Sequence, residues 1–495
     1  MPTLTLDTQF HVGQVDRRIF SGFAEHLGRC VYEGIYDPAS PLSDAEGFRT
    51  DVIEKLRAID MPLMRYPGGN FVSCYRWQDG IGPRDQRPRR PDFAWRSVET
   101  NQFGIDEFAS WCSKVGTEPM MAVNLGTAGA QEAADLVEYC NLPAGTHFAD
   151  RRAAAGRREP YGFKVWCLGN EMDGPWQAGH VPADEYARRA SAAAKMMRGL
   201  DPNIETVLCG SSGRGMQTYL EYDRIALETC WNDVHYVSAH RYSNNRKDDS
   251  DWFLAEGEEI QRVIDDYRGL FDYVRGRKRA DKRVYLSFDE WNVWYKNMEM
   301  DGKWQAAPHL LEEIYNVEDA VVCAQYLSAF VRNADVVKIA CIAQIVNVIA
   351  PLLTQRDGLL VQSIYWPLLH FATMARGMSL VPKLDVPTYK AGERGEAPVA
   401  DVAATLDEST NTLALFVINR NRSAPLEMDV KLTDRAIARV IDAVALGGGD
   451  VKAANTWESP ETVTPVTGDA KRIDAHTLRV RVPAPGYSVV RASLD

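Results

Sequence analysis

The stretch VWCLGNEMDGPW, residues 165–176, runs four apolar residues into Gly-Asn-Glu. Short, near-continuous apolar runs are what strands buried on both faces look like. Such a strand ending in an amide and a carboxylate presents chemistry at its C-terminal edge. RVYLSFDEWNVWY, residues 283–295, does the same, closing its run with Asp289, Glu290 and Trp291. Outward from these two, six more runs of the same kind appear: FSGFAEH (20–26), MPLMRYPGG (61–69), EPMMAVNLG (118–126), ETVLCGSS (205–212), VHYVSAHRY (234–242) and VKIACIAQ (337–344). FKVWCLGNE (163–171) and VYLSFDEW (284–291) are then the fourth and seventh of eight.

Helical stretches lie between most of them. DVIEKLRAID follows the first strand and GIDEFASWCSKVG the second; PADEYARRASAAAKMMRGL (182–200) follows the fourth, with Pro182 at its start and acidic residues in its first turn. NVEDAVVCAQYLSAFVRNA (316–334) follows the seventh. Eight strands with intervening helices predict an α/β protein with a (β/α)8 TIM barrel. The competing doubly wound sheet would carry a glycine-rich phosphate loop, and neither GxGxxG nor GxxxxGK[ST] occurs. After residue 380 helical periodicity gives way to NTLALFVINRN, LEMDVKL, ARVIDAVAL and HTLRVRVPAPGYSVVRASL, the texture of a β-sandwich. The opening TLTLDTQFHVG is strand-like and joins it. The expected division is a catalytic barrel over 15–379 and a jelly-roll-like sandwich over 1–14 and 380–495, with a structural role for the sandwich.

Composition narrows the function. The 495 residues exceed one typical core, and a formal net charge of −12 argues against a nucleic-acid binder. The basic run RPRRPDFAWR, 87–96, reads as a solvated loop. Nine scattered cysteines without a CxxC pair suit a reducing compartment. The N-terminus shows no basic segment followed by an apolar one, and VVKIACIAQIVNVIAPLL (336–353) is broken by Lys338, Gln344 and Asn347. A soluble cytoplasmic protein without nucleic-acid or membrane partners is expected.

Working residues of such a barrel sit at the C-terminal strand ends. Those ends offer Glu25 and His26, Arg65 and Asn70, Asn124, Asn170 and Glu171, Ser211, His240 and Tyr242, Glu290, and Gln344. A rim this polar suits a hydroxylated ligand. Glu171 and Glu290, across the mouth from one another, supply the two carboxyl groups that glycosidic cleavage needs. A gap of about 5–5.5 Å would give retention and about 6.5–9.5 Å inversion, and the residues alone leave that open. The acid needs a raised pKa, whereas the nucleophile must stay ionised and rigid. Arg65, His240 and Tyr242 can hold Glu290, so Glu171 is read as acid/base and Glu290 as nucleophile, with Asn170 on a neighbouring sugar hydroxyl. Asp289 is read as a supporting residue. Among Trp176, Trp291 and Trp294, at least one lines the sugar site. There is no HExxH, the histidines show no ligand spacing, and no GxSxG occurs, so neither a metal nor a Ser-His-Asp site is expected.

These residues together resemble the α-L-arabinofuranosidases of glycoside hydrolase family 51. The resemblance spans FAEHLGRCVYEGIYDP (23–38), RYPGGNFVSCYRWQDGIGP (65–83), MAVNLGTAG (121–129), WCLGNEMDGPWQAGH (166–180), SAHRY (238–242), LSFDEWNVWY (286–295) and IAQIVNVIAPL (342–352). It implies a retaining double displacement with Glu171 as acid/base and Glu290 as nucleophile. It also implies that Glu25, Asn70, Asn170, Tyr242 and Gln344 hold an arabinofuranose, that Arg65 and His240 support the nucleophile, and that Trp95 and Trp294 frame the pocket. No cofactor, an intracellular location and a hexameric assembly are implied too. The chain departs from the family at SGFAEH, before the first glutamate, and at RPRRPDF, beside Trp95, where the leaving-group subsite is expected to differ. The leading expectation is an exo-acting enzyme on arabinan, arabinoxylan and their oligosaccharides. The alternatives are a β-xylosidase or endo-glucanase/xylanase on the same barrel, and a non-catalytic sugar-binding protein.

Overall fold

The computed structural model describes residues 1–297 and 304–495. Eight parallel strands close into a barrel in chain order: β1 Ser21–Phe23, β2 Leu63–Tyr66, β3 Glu118–Ala122, β4 Val165–Leu168, β5 Glu205–Leu208, β6 Tyr236–Ser243, β7 Tyr285–Val293 and β8 Val337–Ala343. All eight sequence-predicted strands are present, seven of them shorter than the apolar runs, because several runs continue into the loops that carry the rim. A helix follows each strand: α1 Thr50–Ile59, α2 Ile105–Val115, α3 Ala130–Asn141, α4 Ala183–Leu200, α5 Glu221–Cys230, α6 Glu256–Lys278, α7 Val317–Arg332 and α8 Tyr365–Met374. The barrel interior is filled by alternate residues of the strands, among them Met120 and Ala122, Val165 and Cys167, and Ile339, Cys341 and Ala343.

β7 breaks that alternation where it matters. Against β6 the register slips between Ser238↔Ser287 and His240↔Glu290, and against β8 between Phe288↔Ala340 and Trp291↔Ile342. The extra residue is a β-bulge. It lets Phe288 and Trp291 both pack outward on Tyr326 and Phe330 of α7, while the consecutive Asp289 and Glu290 both meet the buried Arg65 inside. A regular strand would have sent one of the two carboxylates into the apolar layer.

Most of the remaining strands form two facing sheets. Thr3–Leu6 pairs in parallel with Leu426–Leu432 in a five-stranded sheet, and His11–Gln14 joins a seven-stranded sheet beside Met378–Leu380. The N-terminal strands therefore belong to the sheets, as expected. The run predicted as a solvated loop differs from expectation. Arg90–Asp92 and Ser97–Glu99 pair as a hairpin, and the Arg87 guanidinium is buried on Glu107 at 3.0 Å. The hairpin tip carries Trp95 over the barrel mouth.

Candidate active site

Beyond β1 the chain turns through Glu25. Its backbone N–H donates to Gln344 Oε1 (2.8 Å), and Gln344 Nε2 donates back to Oε2 (3.0 Å). Oε1 accepts from the Phe71 N–H and the Trp95 indole, each at 3.0 Å. Burial, reinforced by the charge of Glu290, pushes Glu25 up to about 8, against these hydrogen bonds and the charge of Arg65. Arg65 rises from β2 with its guanidinium 4.4 Å over the Phe23 ring. Nη1 donates to Glu290 Oε1 and Nη2 to Asn170 Oδ1, both at 2.7 Å, and Nε stands 3.7 Å from Asp289. Beside it the backbone of Gly69 comes so close that a Cβ would sit 2.9 Å from Glu290 Oε1 and 3.3 Å from Asn170 Nδ2. Asn170 Nδ2 donates in turn to Asn70 Oδ1 at 3.3 Å.

Glu171 lies three residues past the end of β4, in a left-handed conformation (φ 45°) that turns it into the mouth. Its Oε1 meets His240 Nδ1 at 3.0 Å and its Oε2 accepts the Trp176 indole N–H at 2.8 Å. Tyr242 donates its hydroxyl to Glu290 Oε2 at 2.8 Å, and its ring meets Trp294 edge-on at 5.1 Å. His240 and Tyr242 are two residues apart on β6 and so share a face. Nε2 of His240 lies 3.2 Å from Asp289 Oδ1 and 3.0 Å from Ser238 Oγ, and Ser238 donates to Asp289 at 2.6 Å. Burial alone would push the imidazole down; the charge of Glu290 and the bonds to Asp289 and Glu171 outweigh it and lift His240 to about 10. Burial likewise acts to raise Asp289, yet the charge of Arg65 and the contact with His240 hold its carboxyl below the ordinary value. Glu171, His240 and Glu290 bring one ligand-type atom each within 4.8 Å of one another. In this trio the His240 imidazole stands between two carboxylates, 3.0 Å from Glu171 and 3.5 Å from Glu290.

These groups surround a cavity of about 290 Å³ faced by Glu25, Asn70, Trp95, Glu171, Tyr242, Glu290, Trp294 and Gln344. Arg65, Asn170 and His240 are buried beneath them. Other strand-end residues are turned away. Asn124 accepts three backbone N–H groups of residues 126–128, Ser211 donates to Asp223, and His26 bonds Tyr66. Each is spent on its own loop or a neighbouring element, which a strand-end rule cannot distinguish from facing the mouth. Trp291 is packing, fully buried against α7. Leu27, Ser212, Leu311 and Ile349 complete the wall. They were not legible in the sequence, since they come from loops without periodicity. Gly69 and Ser238 were missed too; the adjacent glycines of PGGN were the only hint of the first.

The chain matches two family models, the alpha-L-arabinofuranosidase 1 domain over residues 55–276 and the alpha-L-arabinofuranosidase C-terminal domain over 289–488. It is 41% identical to an intracellular exo-alpha-(1->5)-L-arabinofuranosidase of Acetivibrio thermocellus, covering 99% of this chain and 98% of the other. It is 43% identical to an exo-alpha-(1->6)-L-arabinofuranosidase of Bifidobacterium longum, covering 98% and 96%. Among solved structures, a family 51 alpha-L-arabinofuranosidase from Bifidobacterium longum superimposes with a TM-score of 0.95 at 39% identity, covering 99% of this chain and all of that one. An alpha-L-arabinofuranosidase from Thermotoga maritima, solved as an arabinose complex, does so with 0.88 at 33% identity over 99% of each. A barrel with these sheets, two glutamates facing one another across its mouth, and full-length identity of this order place the chain in the α-L-arabinofuranosidases of glycoside hydrolase family 51.

Proposed function

We propose that the protein is an exo-acting, retaining α-L-arabinofuranosidase that removes terminal non-reducing arabinofuranosyl residues from arabinan, arabinoxylan and their oligosaccharides. One observation carries the mechanism: oxygens of Glu171 and Glu290 lie within 4.8 Å of one another. So close an approach favours the roughly 5–5.5 Å carboxyl separation of a retaining pair over the wider gap, about 6.5–9.5 Å, of an inverting one. We read Glu290 as the nucleophile because a fixed cation, Arg65, and the Tyr242 hydroxyl each hold one of its oxygens, which aims it. Glu171 stands at the open side, where it protonates the departing oxygen and then deprotonates the incoming water. Glu25, Asn70 and Gln344 bind the sugar hydroxyls, and Trp95 and Trp294 wall the ring. Leu27, Leu311 and Ile349 close the pocket around one sugar, which supports exo-action over an endo-acting cleft.

The names of the relatives support α-(1→5) and α-(1→6) linked substrates. Several of them are named intracellular, and all nine cysteines here are free, eight of them buried; we read the protein as cytoplasmic, and as a homo-oligomer, a hexamer by family resemblance. Proton NMR of p-nitrophenyl α-L-arabinofuranoside hydrolysis tests the reaction. Release of the α-anomer before mutarotation is expected, with Glu290→Ala folded and slower by several orders of magnitude. An initial β-anomer would contradict the double displacement, and no release would move the substrate to xylosides or β-glucans.

A further inference from the structure

Both oxygens of Glu171 accept an N–H, but the two donors differ in kind. His240 is 4% exposed and tied to Asp289 and Ser238, so it cannot leave Oε1. Trp176 is 53% exposed and reaches Oε2 from the open side at 2.8 Å. The contact is built into the loop. Gly174 N–H bonds Glu171 O (2.8 Å) and Gln177 N–H bonds Gly174 O (3.0 Å), closing a turn that carries the indole back over the carboxylate. The ring lies so flat on that turn that a Cβ at Gly174 would stand 2.6 Å from it. The two N–H donors thus occupy both oxygens of Glu171. A general acid needs the oxygen that faces the glycosidic bond free to carry a proton.

We propose that Trp176 is a positioning residue for Glu171 and the wall of the leaving-group subsite, its indole N–H holding Oε2 until the sugar on the leaving side displaces it. This rests on the reading of Glu171 as acid/base. The glycosidic oxygen and the indole N–H compete for one atom, and only the indole can yield. Once displaced, its face is available to stack on the leaving sugar. Oε2 loses its donor at the moment it must carry a proton, so arrival of the leaving group and protonation of Glu171 are coupled. A substrate without a sugar on the leaving side captures less of this coupling.

The other ionisable groups around Glu171 are Asp173 on its own loop, Cys209 after β5, His240 and Tyr242 on β6, Asp289 and Glu290 on β7, Arg65 on β2 and Glu25 after β1. Trp176→Phe alters none of them and keeps an aromatic face. Its alkaline limb of kcat/KM is expected to move to higher pH, because the ionised carboxylate has lost a donor. Trp176→Ala also loses the face; KM for an arabino-oligosaccharide should rise about tenfold, while the inhibition constant of free arabinose changes less than twofold. An unmoved limb in Trp176→Phe, or arabinose inhibition that weakens in step with KM, overturns the proposal. A direct readout uses the indole 15N–1H resonance that Trp176→Phe removes. In Glu290→Ala protein it should shift with arabino-oligosaccharide and not with arabinose; equal response to both also overturns it. If the protein cleaves no arabinofuranoside, the functional reading fails separately. The same resonance, followed with whichever glycoside is cleaved, then still decides the role of Trp176.

Discussion

His240 lies 3.0 Å from Glu171, 3.5 Å from Glu290 and 3.2 Å from Asp289. Three carboxylates in one buried layer repel one another, and two cations, His240 and Arg65, are what make the layer tolerable. Because His240 is raised from 6.5 to about 10, its contribution to stability is fully present below pH 6.5 and is lost as pH rises through about 10. His240→Asn should therefore lower the melting temperature most at pH 6, and the gap to the parent should close towards pH 10. Glu25 acts in both proteins alike: its ionisation in the folded state, opposed up to about pH 8, costs stability as pH rises from 4.5, and it cancels in the difference. Thermal melts of the pair across pH 5–10 check this, and a gap constant with pH would contradict a buried imidazolium. At this scale the sequence was informative about identity and silent about depth. Polar side chains at strand ends pointed to Arg65, His240 and Tyr242, but only packing decides that His240 is buried beneath the cavity while Tyr242 lines it.

The hairpin over 90–99 positions Trp95, and Asp92 holds its turn. Asp92 accepts from the backbone of Ala94 (2.9 Å) and Trp95 (3.2 Å) and from the Ser97 hydroxyl (3.1 Å). Trp95 in turn donates to Glu25, so the turn is linked through one indole to a pocket carboxyl. Asp92→Ala frees two backbone N–H groups and loosens that indole. The expected result is a rise in KM of about tenfold, the equivalent of one net hydrogen bond of roughly 1.4 kcal/mol, with kcat changed less. A parallel fall in kcat would place Trp95 in the chemistry instead. This element was misread from sequence for a definite reason. Prolines and arginines in a run suggest solvent, yet Arg87 is buried by Glu107, which lies on α2 some twenty residues away. The bulge in β7 was equally hidden, because FDEW scans as a regular strand end until the register to both neighbours is known.

Barrel and sheets meet on a strand that faces two cores. In Thr412–Asn419 the side chains of Leu413, Leu415 and Val417 fill the space between the sheets, whereas Ala414, Phe416 and Ile418 pack into the barrel's outer layer. Phe416 stacks on Phe371 of α8 with ring centroids 4.3 Å apart. Such a strand, buried on both faces, is why the sequence shows the continuous run LALFVI there rather than alternation. The barrel was legible because each of its strands carries that signature, and the sheets because strands with one face in solvent alternate, as Leu426–Leu432 does. What locks the two together was not, since it depends on charges far apart in sequence. Asp401 accepts from Ser328 on α7 (2.6 Å) and from Arg420 (2.8 Å), and pairs with Arg332 of α7; Arg420 reaches on to Gln325 (3.0 Å) and to Glu258 of α6 (2.7 Å). Burial works to raise Asp401, and the charges of Arg332 and Arg420 override it, holding the carboxyl below its usual 3.8. Its stabilising contribution is thus present above pH 3.8 and is lost as pH falls through the lower folded value. Asp401→Ala leaves Arg420 buried with the half-exposed Glu258 as its remaining counter-charge and Arg332 without its carboxylate, at a cost of about 3 kcal/mol. Calorimetry should show one transition for barrel and sheets in the parent. The variant should melt lower by a margin that holds from pH 5 to 8 and shrinks below pH 4. Two separate parent transitions, or a variant that melts like the parent at pH 7, would mean that the shared strand does not couple the two parts.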